Sequence, residues 1–421
     1  MPDPQNPDAS ETRTLTLDSV GAQGDGRAVD DGRRVSVPFT LPGERVRVTG
    51  NGERLELVSI ETPSPERIAP VCRHFGTCGG CTLQHWAPVP YAAFKRELII
   101  RTLKARGLDA EVAETWVTPA GSRRRAALAA RRVGKEMRLG FHVRKSHELV
   151  AISECKVLRP AIVAALPKLR EIAGYLISGK EEIGLLVTET ASGLDLHASG
   201  LAKETKALAR AEAANAALRA GFARMSIEGG DVLTDRRPSL PAGAANLLPP
   251  PGGFLQASAE AEAEMERIVR EHLKFSSRIA DLFSGCGTFA LRLAAESSVL
   301  AVEGNAAAIE ALKDSVRGAP GLKPVEARVR DLFRNPVSAA ELAKFDGLVL
   351  DPPRAGAEAQ AREIAKSGVR RVAYVSCDPA TLARDLRTLV DGGYRIIRIH
   401  PVDQFLWSAH VEAVALLEKR L

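Results

Sequence analysis

The sequence predicts a multidomain α/β protein, because three stretches of the chain carry different patterns of apolar residues. Short alternating strands separated by Gly, Asp and Pro fill residues 11–62 and predict a small β-barrel. From 251 to 421, apolar strands alternate with helices, which predicts a parallel, Rossmann-like sheet. Residues 63–250 lie between them, and a Pro- and Gly-rich stretch at 237–253 marks the second boundary. We expect these three domains to follow a disordered tail at 1–10.

The composition of the chain excludes several classes of protein. With 58 Lys and Arg against 52 Asp and Glu, the net charge of +6 permits an anionic partner without requiring one. No apolar run approaches the roughly 18 residues that span a bilayer, and the acidic N-terminus is unlike a signal peptide. We therefore expect a cytoplasmic protein with no membrane contact. In that compartment, six cysteines indicate metal binding or catalysis rather than disulfide bonds.

The spacing of apolar residues predicts the individual elements. Before the second boundary, helices are predicted at three places: 91–106, 160–176 and 202–220. Strands are predicted in the same part of the chain at 123–131, at 137–152, and as a hairpin at 185–190 and 194–199. Beyond the boundary, a helix at 256–274 leads into the alternating strands and helices.

The first motif is a glycine turn, Asp281-Leu-Phe-Ser-Gly285-Cys-Gly287-Thr, between a strand and a helix. Glycines at the carboxyl end of a strand let the backbone approach a ligand. The next strand ends at Glu303, where an acid suits two ribose hydroxyls. This acid comes 16 residues after Gly287, and the third glycine of a dinucleotide fingerprint is absent. Both features favour S-adenosylmethionine (SAM) over NAD, and Asp331, after the following strand, is a candidate for binding adenine.

Three further residues stand where a plain structural role explains them poorly. Asp351 follows an apolar strand, and the two prolines after it fix a rigid rim with the carboxylate towards the crevice. Cys377 lies between a strand and a helix, where we expect the helix dipole to lower the thiol pKa. Glu412 interrupts an apolar run near the C-terminus, where a carboxylate needs a reason to be present.

A tight cysteine trio, Cys72, Cys78 and Cys81, is joined by the distant Cys155. Four thiolates can hold zinc or an iron–sulfur cluster. Two separate C-x2-C pairs are more typical of structural zinc, so the trio favours a [4Fe–4S] cluster and leaves zinc open.

The charge is concentrated between residues 121 and 145. That stretch holds nine basic residues and one acid, a local charge of +8. Such density on predicted strands favours a surface that binds a polyanion over an ordinary solvated face. The candidate contacts are Arg123, Arg124, Arg125, Arg131 and Arg132.

Together these motifs resemble the RNA uracil-C5 methyltransferases, which form 5-methyluridine in rRNA and tRNA. The resemblance covers nearly the whole chain and rests on six motifs in order: GGFLQAS, DLFSGCGTF, VEGN, LDPPRAG, SCDPATLARD and HVEAVALLEK. The N-terminal strands resemble the TRAM module, an OB-like RNA-binding fold. VCRHFGTCGGC and SECKVL look like the ligands of the family's [4Fe–4S] cluster, and RRRAALAARR is similar to its basic strand beside the RNA.

The resemblance implies a role for each motif. Cys377 would be the nucleophile that adds to C6 of uracil, and Glu412 the general base that removes the C5 proton. The SAM contacts would be Gln256, Phe283, Gly285, Gly287, Thr288, Glu303, Asp331 and Asp351. Thr288 and Asp378 each stand where the family often has asparagine. A TRAM module together with a cluster is most like the 23S rRNA branch, and we expect a monomer.

Four alternatives stay open at this point. The first two are a tRNA 5-methyluridine methyltransferase and an RNA cytosine-C5 methyltransferase. The cytosine enzyme would share SAM and the cysteine but would read the base through other groups. The third is an RNA-binding protein without activity, which would need neither Cys377 nor Glu412. The last is a thiol-based redox protein.

Overall fold

The computed structural model describes residues 12–202 and 205–419, so the predicted tail at 1–10 lies outside the described residues. Six strands come first: β1 (Arg13–Thr16), β2 (Ser19–Val20), β3 (Gly26–Asp30), β4 (Arg33–Val37), β5 (Arg45–Thr49) and β6 (Glu56–Thr62). They form two three-stranded antiparallel sheets, β1-β5-β6 and β2-β3-β4, which share a small core. In β5, Val46 and Val48 point into that core, and Arg45 and Arg47, which alternate with them, point outward; this is the alternation that the sequence predicts.

The next two elements, α1 (Pro88–Lys104) and β7 (Trp116–Val117), pack against the C-terminal part of the chain. Pro88 opens the helix, where its missing N–H would have no partner. The buried side of α1 contacts the last strands and helices of the protein, and β7 pairs in parallel with the residues around Val402. Both elements fall within the range predicted as the central domain.

A seven-stranded sheet with two helices forms the middle of the protein. Its elements are β8 (Arg125–Val133), β9 (Glu136–His142), β10 (Leu149–Ala151), α2 (Pro160–Leu176), β11 (Glu182–Thr190), β12 (Gly193–Ser199), α3 (Ala207–Arg219), β13 (Arg224–Ile227) and β14 (Gly230–Thr234). The strand order is β10-β9-β8-β11-β12-β13-β14, with only β12 and β13 parallel among its pairs. The predicted helix at 160–176 is confirmed, as is the hairpin, which is β11 and β12. The segment predicted as one strand at 137–152 is two strands, β9 and β10.

A two-stranded ribbon, β15 (Leu240–Ala242) and β16 (Ala245–Leu247), leads to the C-terminal sheet. The remaining elements are α4 (Ala259–Leu273), β17 (Arg278–Leu282), α5 (Ala290–Leu293), β18 (Ser298–Glu303), α6 (Ala306–Arg317), β19 (Val325–Val329), α7 (Ala339–Leu342), β20 (Gly347–Leu350), α8 (Glu358–Lys366), β21 (Arg371–Ser376), α9 (Pro379–Asp391), β22 (Tyr394–Asp403) and β23 (Glu412–Lys419).

This C-terminal sheet is the α/β unit that the alternation predicts. Its strand order is β19-β18-β17-β20-β21-β23-β22-β7, parallel through β21, with β23 antiparallel to both of its neighbours. Helices cover both faces, and each face has its own apolar core. The chain runs outward from β17 through β18 to β19, then crosses back to β20, so the topology switches beside β17. Ligands bind at the carboxyl ends of the strands at such a switch point.

Candidate active site

A cavity of about 550 Å³ opens at the carboxyl ends of these strands. Most of the predicted site residues there come from a strand end or from the turn after it, whereas Gln256 lies just before α4 and Glu412 is the first residue of β23. The cavity wall includes Gln256, Phe283, Gly285, Thr288, Glu303, Asp331, Asp351, Cys377 and Glu412. The structure therefore brings together, in one cavity, nine of the ten residues predicted as catalytic or SAM-binding.

Glu303 is held by the glycine turn at one end of the cavity. Its Oε2 accepts a hydrogen bond from Gly285 N at 3.1 Å, and its Oε1 accepts one from Asn305 N at 2.8 Å. Gly285 has a φ of +54°, which glycine adopts at little cost. Each carboxylate oxygen keeps a further lone pair, so Glu303 can still accept hydrogen bonds from a pair of hydroxyls.

Gly287 is the predicted residue that the structure does not place in the cavity wall. Its φ is +101°, and a β-carbon at this position would lie only 2.5 Å from Leu312 Cδ1. The glycine is required because the turn packs tightly against α6, which the motif alone did not distinguish from contact with a ligand.

Two aromatic rings face each other beside Glu303. The ring centroids of Phe283 and Phe333 are 5.4 Å apart, and both rings line the cavity. Asp331 caps the turn that carries Phe333, because its Oδ1 accepts from Phe333 N at 3.0 Å. Sequence reasoning missed Phe333, although an aromatic residue two positions after an acidic strand end was an available signal.

Asp351 and Glu412 are two carboxylates on the same cavity wall. Glu412 is buried, and burial, together with the charge of Asp351, raises its pKa to about 8. Loss of hydration also raises the pKa of Asp351 to about 7. Both groups can therefore exchange protons near neutral pH, as a general base must.

Two buried glutamines join these carboxylates. Gln256 Nε2 donates to Asp351 Oδ2 at 2.8 Å. Gln404 Nε2 donates both to Gln256 Oε1, at 2.8 Å, and to Glu412 Oε2, at 2.7 Å. Gln404 was not predicted from the sequence, because nothing in its local pattern distinguishes it from a surface glutamine.

Cys377 lies half-buried at the end of β21, and the expectation that its pKa is lowered was wrong. Burial, followed by the charges of Glu412 and Asp351, raises the pKa of the thiol to about 11. The helix dipole does not reverse this, because Asp378 occupies the N-cap of α9 and its Oδ1 accepts from two backbone amides. The hydrogen bond and charge of Arg354 act the other way and favour the thiolate.

Arg354 was not singled out from the sequence, although it follows directly after the two prolines. It lines this cavity and also a second one of about 610 Å³ next to it. Its Nη2 lies 3.5 Å from His410 Nε2. Arg354 is therefore the cation placed to balance the charge of Cys377.

The arginines of the basic stretch separate into three groups. Arg123 and Arg125 line the cavity, and Arg125 lies over the exposed ring of Phe254. Arg124 was predicted to contact RNA, but it is buried and pairs with the buried Glu262 of α4. The linear charge pattern cannot reveal such a partner.

The other two arginines of the stretch are engaged by the protein. Arg132 Nη2 donates to the carbonyls of Gly174 and Ile177 at the end of α2, each at 3.1 Å. Arg131 Nε lies 3.8 Å from a Glu182 oxygen. Both nevertheless keep part of their surface accessible.

The four cysteines Cys72, Cys78, Cys81 and Cys155 line the second cavity. All four are half-buried and unpaired in disulfides. Burial raises the pKa of Cys81 to about 12, and the charges of Cys155, Cys78 and Cys72 act in the same direction, so the four thiols are within electrostatic reach of one another. Across residues 12–202 and 205–419, however, no group of three or more Cys, His, Asp or Glu side chains is close enough to hold a metal ion.

Gly79 explains how the cysteine trio reaches this cavity. Its N donates to His142 O at 2.9 Å. A β-carbon there would lie 2.7 Å from the same oxygen. The Gly-Gly pair between Cys78 and Cys81 thus lets the segment pack against β9.

Known proteins match this chain in sequence and in structure. Residues 322–420 match the model of the tRNA (uracil-5-)-methyltransferase family. An uncharacterized RNA methyltransferase of Brucella suis is 50% identical, covering 98% of this chain and 99% of that protein. The 23S rRNA (uracil(1939)-C(5))-methyltransferase RlmD of Halomonas elongata is 36% identical, covering 96% of this chain and 89% of its own length.

A solved structure matches the fold over nearly the full length. It is the Pyrococcus abyssi tRNA (uracil-54, C5)-methyltransferase in complex with S-adenosyl-L-homocysteine. The TM-score is 0.76 and the identity 25%, with 96% of this chain and 99% of that chain covered. Within the part of this chain that the structure describes, no helix is long and apolar enough to cross a membrane.

Proposed function

The chain belongs to the SAM-dependent RNA uracil-C5 methyltransferases, and we propose that it methylates a uracil of 23S rRNA through Cys377 and Glu412. The observation that carries this proposal is the single cavity in which a cysteine, a buried carboxylate and the glycine turn meet. The relative named for 23S rRNA supports the rRNA target. A monomeric state and a cytoplasmic location stay predictions.

The cavity has the features that SAM requires. Glu303 has free lone pairs for the two ribose hydroxyls, and the rings of Phe283 and Phe333 offer an apolar place for adenine. SAM supplies the methyl group. The open part of the cavity beside Cys377 is left for the target base, which must leave its stack to be reached.

The first chemical task is to make C5 of uracil nucleophilic. The sulfur of Cys377 forms a bond to C6, and the electrons of the C5–C6 double bond move to C5 and O4 as an enolate. The attacking species is the thiolate, so the thiol must first give its proton to solvent water. Arg354 stabilises that thiolate, because it hydrogen-bonds the sulfur and opposes the charges of the carboxylates.

The second task follows methyl transfer. C5 then carries both the new methyl group and its original proton, and the adduct is stable until that proton leaves. Glu412 lies on the same wall as Cys377 and is the proposed acceptor. When it takes the proton, the double bond reforms, the C6–S bond breaks and Cys377 is released. The raised pKa of Glu412 matches this role. A carboxylate with a pKa near the working pH is a stronger base than an ordinary one, and part of it is still ionised and able to accept the proton.

The N-terminal sheets and the basic cavity are proposed to hold the RNA. We propose that the first six strands form an OB-like TRAM module, whose sheet surface would bind RNA. Arg123 lines both cavities, Arg125 lines the first and Lys145 the second, so basic side chains are present in both; Arg144 also lines the second cavity but is paired with Asp25. We propose that flanking nucleotides lie along these basic side chains.

We further propose that the four cysteines hold a [4Fe–4S] cluster. Their all-sulfur donor set suits zinc or iron–sulfur rather than a hard cation. All four thiols line one cavity, which supports a shared cluster there. Its role would be to tie Cys155 to the distant trio.

The cluster is tested by purifying the protein anaerobically and measuring its metal content. We expect iron and sulfide, both lost in Cys81→Ser together with stability of the middle of the protein. Cys286→Ser is the matched control, because Cys286 is also an unpaired thiol, more buried than Cys81, but does not line the cysteine cavity. Stoichiometric zinc without iron in the wild type would refute the cluster.

The reaction is tested by mapping 5-methyluridine in cellular RNA from strains with and without the gene. We expect one 23S rRNA position to lose its methyl group, and to regain it with the wild type but not with Cys377→Ala. Loss of a tRNA methyl group instead would favour a second candidate function, a tRNA 5-methyluridine methyltransferase. The match to the Pyrococcus tRNA enzyme supports that candidate. Methylated cytosine that depends on the gene would overturn the assignment of the base.

A further inference from the structure

We propose that Gln404 is a positioning residue for the proton-removal step, fixing both the amide of Gln256 and the carboxylate of Glu412 towards the target base. The inference rests on the proposed function of Glu412. Gln404 is 3% exposed and follows directly after β22, where both cavities meet. Among the described residues, no other buried side chain forms hydrogen bonds to both Gln256 and Glu412.

The orientation of the Gln404 amide is set by the backbone. Ala257 N donates to Gln404 Oε1 at 3.0 Å. A backbone N–H can only donate, so the oxygen of the Gln404 amide must face it. The NH₂ group is therefore directed at Gln256 and Glu412, and both of its hydrogens are used there.

The same logic extends one residue further. Because Gln404 donates to Gln256 Oε1, the Gln256 amide must direct its own NH₂ group towards Asp351. One of those two hydrogens is used by Asp351, so Gln256 can still offer the cavity one N–H, besides the second lone pair of its Oε1. The N–H can donate to a carbonyl oxygen of uracil.

Gln404 also acts on the proton affinity of Glu412. Its hydrogen bond favours the ionised carboxylate, against burial and against the charge of Asp351. The charge of Arg354 also favours the ionised form of Glu412. The thiol of Cys377 is the other titratable group that faces Glu412 from the same cavity wall. Without Gln404, burial and the charge of Asp351 would still raise the pKa of Glu412, and only Arg354 would lower it. We therefore expect the pKa of Glu412 to rise when Gln404 is replaced.

The rest of the fold holds Gln404 in place through its neighbour. Asp403 is fully buried and accepts from Lys95 Nζ and from the Tyr91 hydroxyl, both on α1. Lys95 Nζ also donates to His410 O at 2.6 Å, close to the start of β23. Lys95 of α1 thus contacts both ends of the segment between β22 and β23. Gln404 lies at the end of this segment that follows β22.

The test compares Gln404→Met with Gln360→Met. Gln360 is equally buried, but its amide bonds the backbone of Val337 at 2.8 and 3.0 Å, away from the cavity. The reaction of each variant is followed in a single turnover with labelled SAM and an RNA substrate. Covalently bound, methylated RNA and released product are measured separately over a range of pH.

We expect Gln404→Met to methylate the RNA and then to release product roughly 10- to 100-fold more slowly, the loss expected for a hydrogen bond to a charged group. Its release should also need a higher pH, because the pKa of Glu412 rises. Gln360→Met should lose stability but release product at the wild-type rate with an unchanged pH profile. Gln404→Glu keeps the acceptor for Ala257 N and places a carboxylate beside Glu412, so its release should be slower still.

Release at the wild-type rate and pH profile in a folded Gln404→Met or Gln404→Glu enzyme would overturn the inference. Gln404→Glu carries the test if Gln404→Met is less stable than the Gln360→Met control. A defect of equal size in Gln360→Met would reduce Gln404 to a structural role and also overturn it. If the wild type itself forms no 5-methyluridine, the proposed function fails instead, so the two failures are distinguishable.

Discussion

Lys95 and Asp403 form an ion pair in which neither side chain is exposed, with Lys95 Nζ 2.5 Å from Asp403 Oδ1. It joins α1 to the last residue of β22, which lies about 300 positions later in the chain. Such a pair contributes little net stability relative to apolar packing, but breaking it leaves one charge buried without its partner. Its position beside Gln404 indicates that it holds the segment of the active site between β22 and β23.

Lys95→Met is therefore expected to lower the free energy of unfolding by about 3–5 kcal/mol, because Asp403 stays buried and uncompensated. Lys104→Met, on the same helix but at an exposed position, should change it by less than about 0.5 kcal/mol. Urea denaturation of both variants measures the difference. Equal stability of the two would show that the pair is dispensable.

Glu303→Gln is expected to weaken SAM binding by about 1.5–3 kcal/mol, the value of hydrogen bonds to a charged group. Glutamine keeps the shape of the side chain but replaces one acceptor oxygen with a donor. Glu310→Gln is the control, since Glu310 lies on α6 outside the cavity. Titration calorimetry with SAM gives both affinities. Unchanged binding by Glu303→Gln would remove the assignment of this carboxylate to the ribose.

Two neighbouring arginines of the basic stretch are expected to have different roles, Arg125 in RNA binding and Arg124 in stability. Arg125→Ala should weaken RNA binding and reduce the salt slope by about 0.7–0.9 if one phosphate contact is lost. Arg124→Met should instead lower stability by about 1–3 kcal/mol, because Glu262 loses a buried partner. RNA binding at several salt concentrations, with thermal unfolding in parallel, distinguishes the two. A salt slope identical to wild type in Arg125→Ala would place the RNA elsewhere.

The stability of the protein should depend on pH through Glu412. Its pKa is near the ordinary value of about 4.3 in the unfolded chain and is raised in the folded one. Between these two values the folded chain holds a proton that the unfolded chain has released, so stability falls as pH rises. The side chain in Glu412→Gln cannot ionise. As the pH rises from 5 to 8, the free energy of unfolding of this variant should therefore increase by about 1–3 kcal/mol relative to that of the wild type.

Chemical denaturation at both pH values measures this gain. Part of the slope should persist in Glu412→Gln, because burial also raises the pKa of Asp351. Parallel pH profiles for wild type and variant would mean that Glu412 is ionised throughout in the folded protein.

Features that follow from local pattern were predictable from the sequence. Pro160 and the apolar spacing after it place α2 at its observed bounds. The residues at the strand ends, such as Glu303 and Cys377, meet in one cavity because parallel strands end at the same edge of a sheet. The order of the motifs was therefore sufficient to predict most of the candidate site.

Features that depend on distant partners were not predictable. Gln404 acquires its role from Gln256 and Glu412, and Arg124 is buried by Glu262; neither partner is near in sequence. The pairing of β7 with β22 joins residues almost 300 positions apart. Cys377 has a raised pKa because of carboxylates that only the folded chain brings close.

The most direct test of the mechanism compares Cys377→Ala with Glu412→Gln on a denaturing gel with labelled RNA and SAM. Because the two roles are sequential, the variants should fail at different steps. Cys377→Ala should bind RNA but give no covalent band and no methyl transfer. Glu412→Gln should add and methylate, then stall before elimination and give a shifted band. Multiple turnover by Cys377→Ala, or normal turnover by Glu412→Gln, would contradict the account.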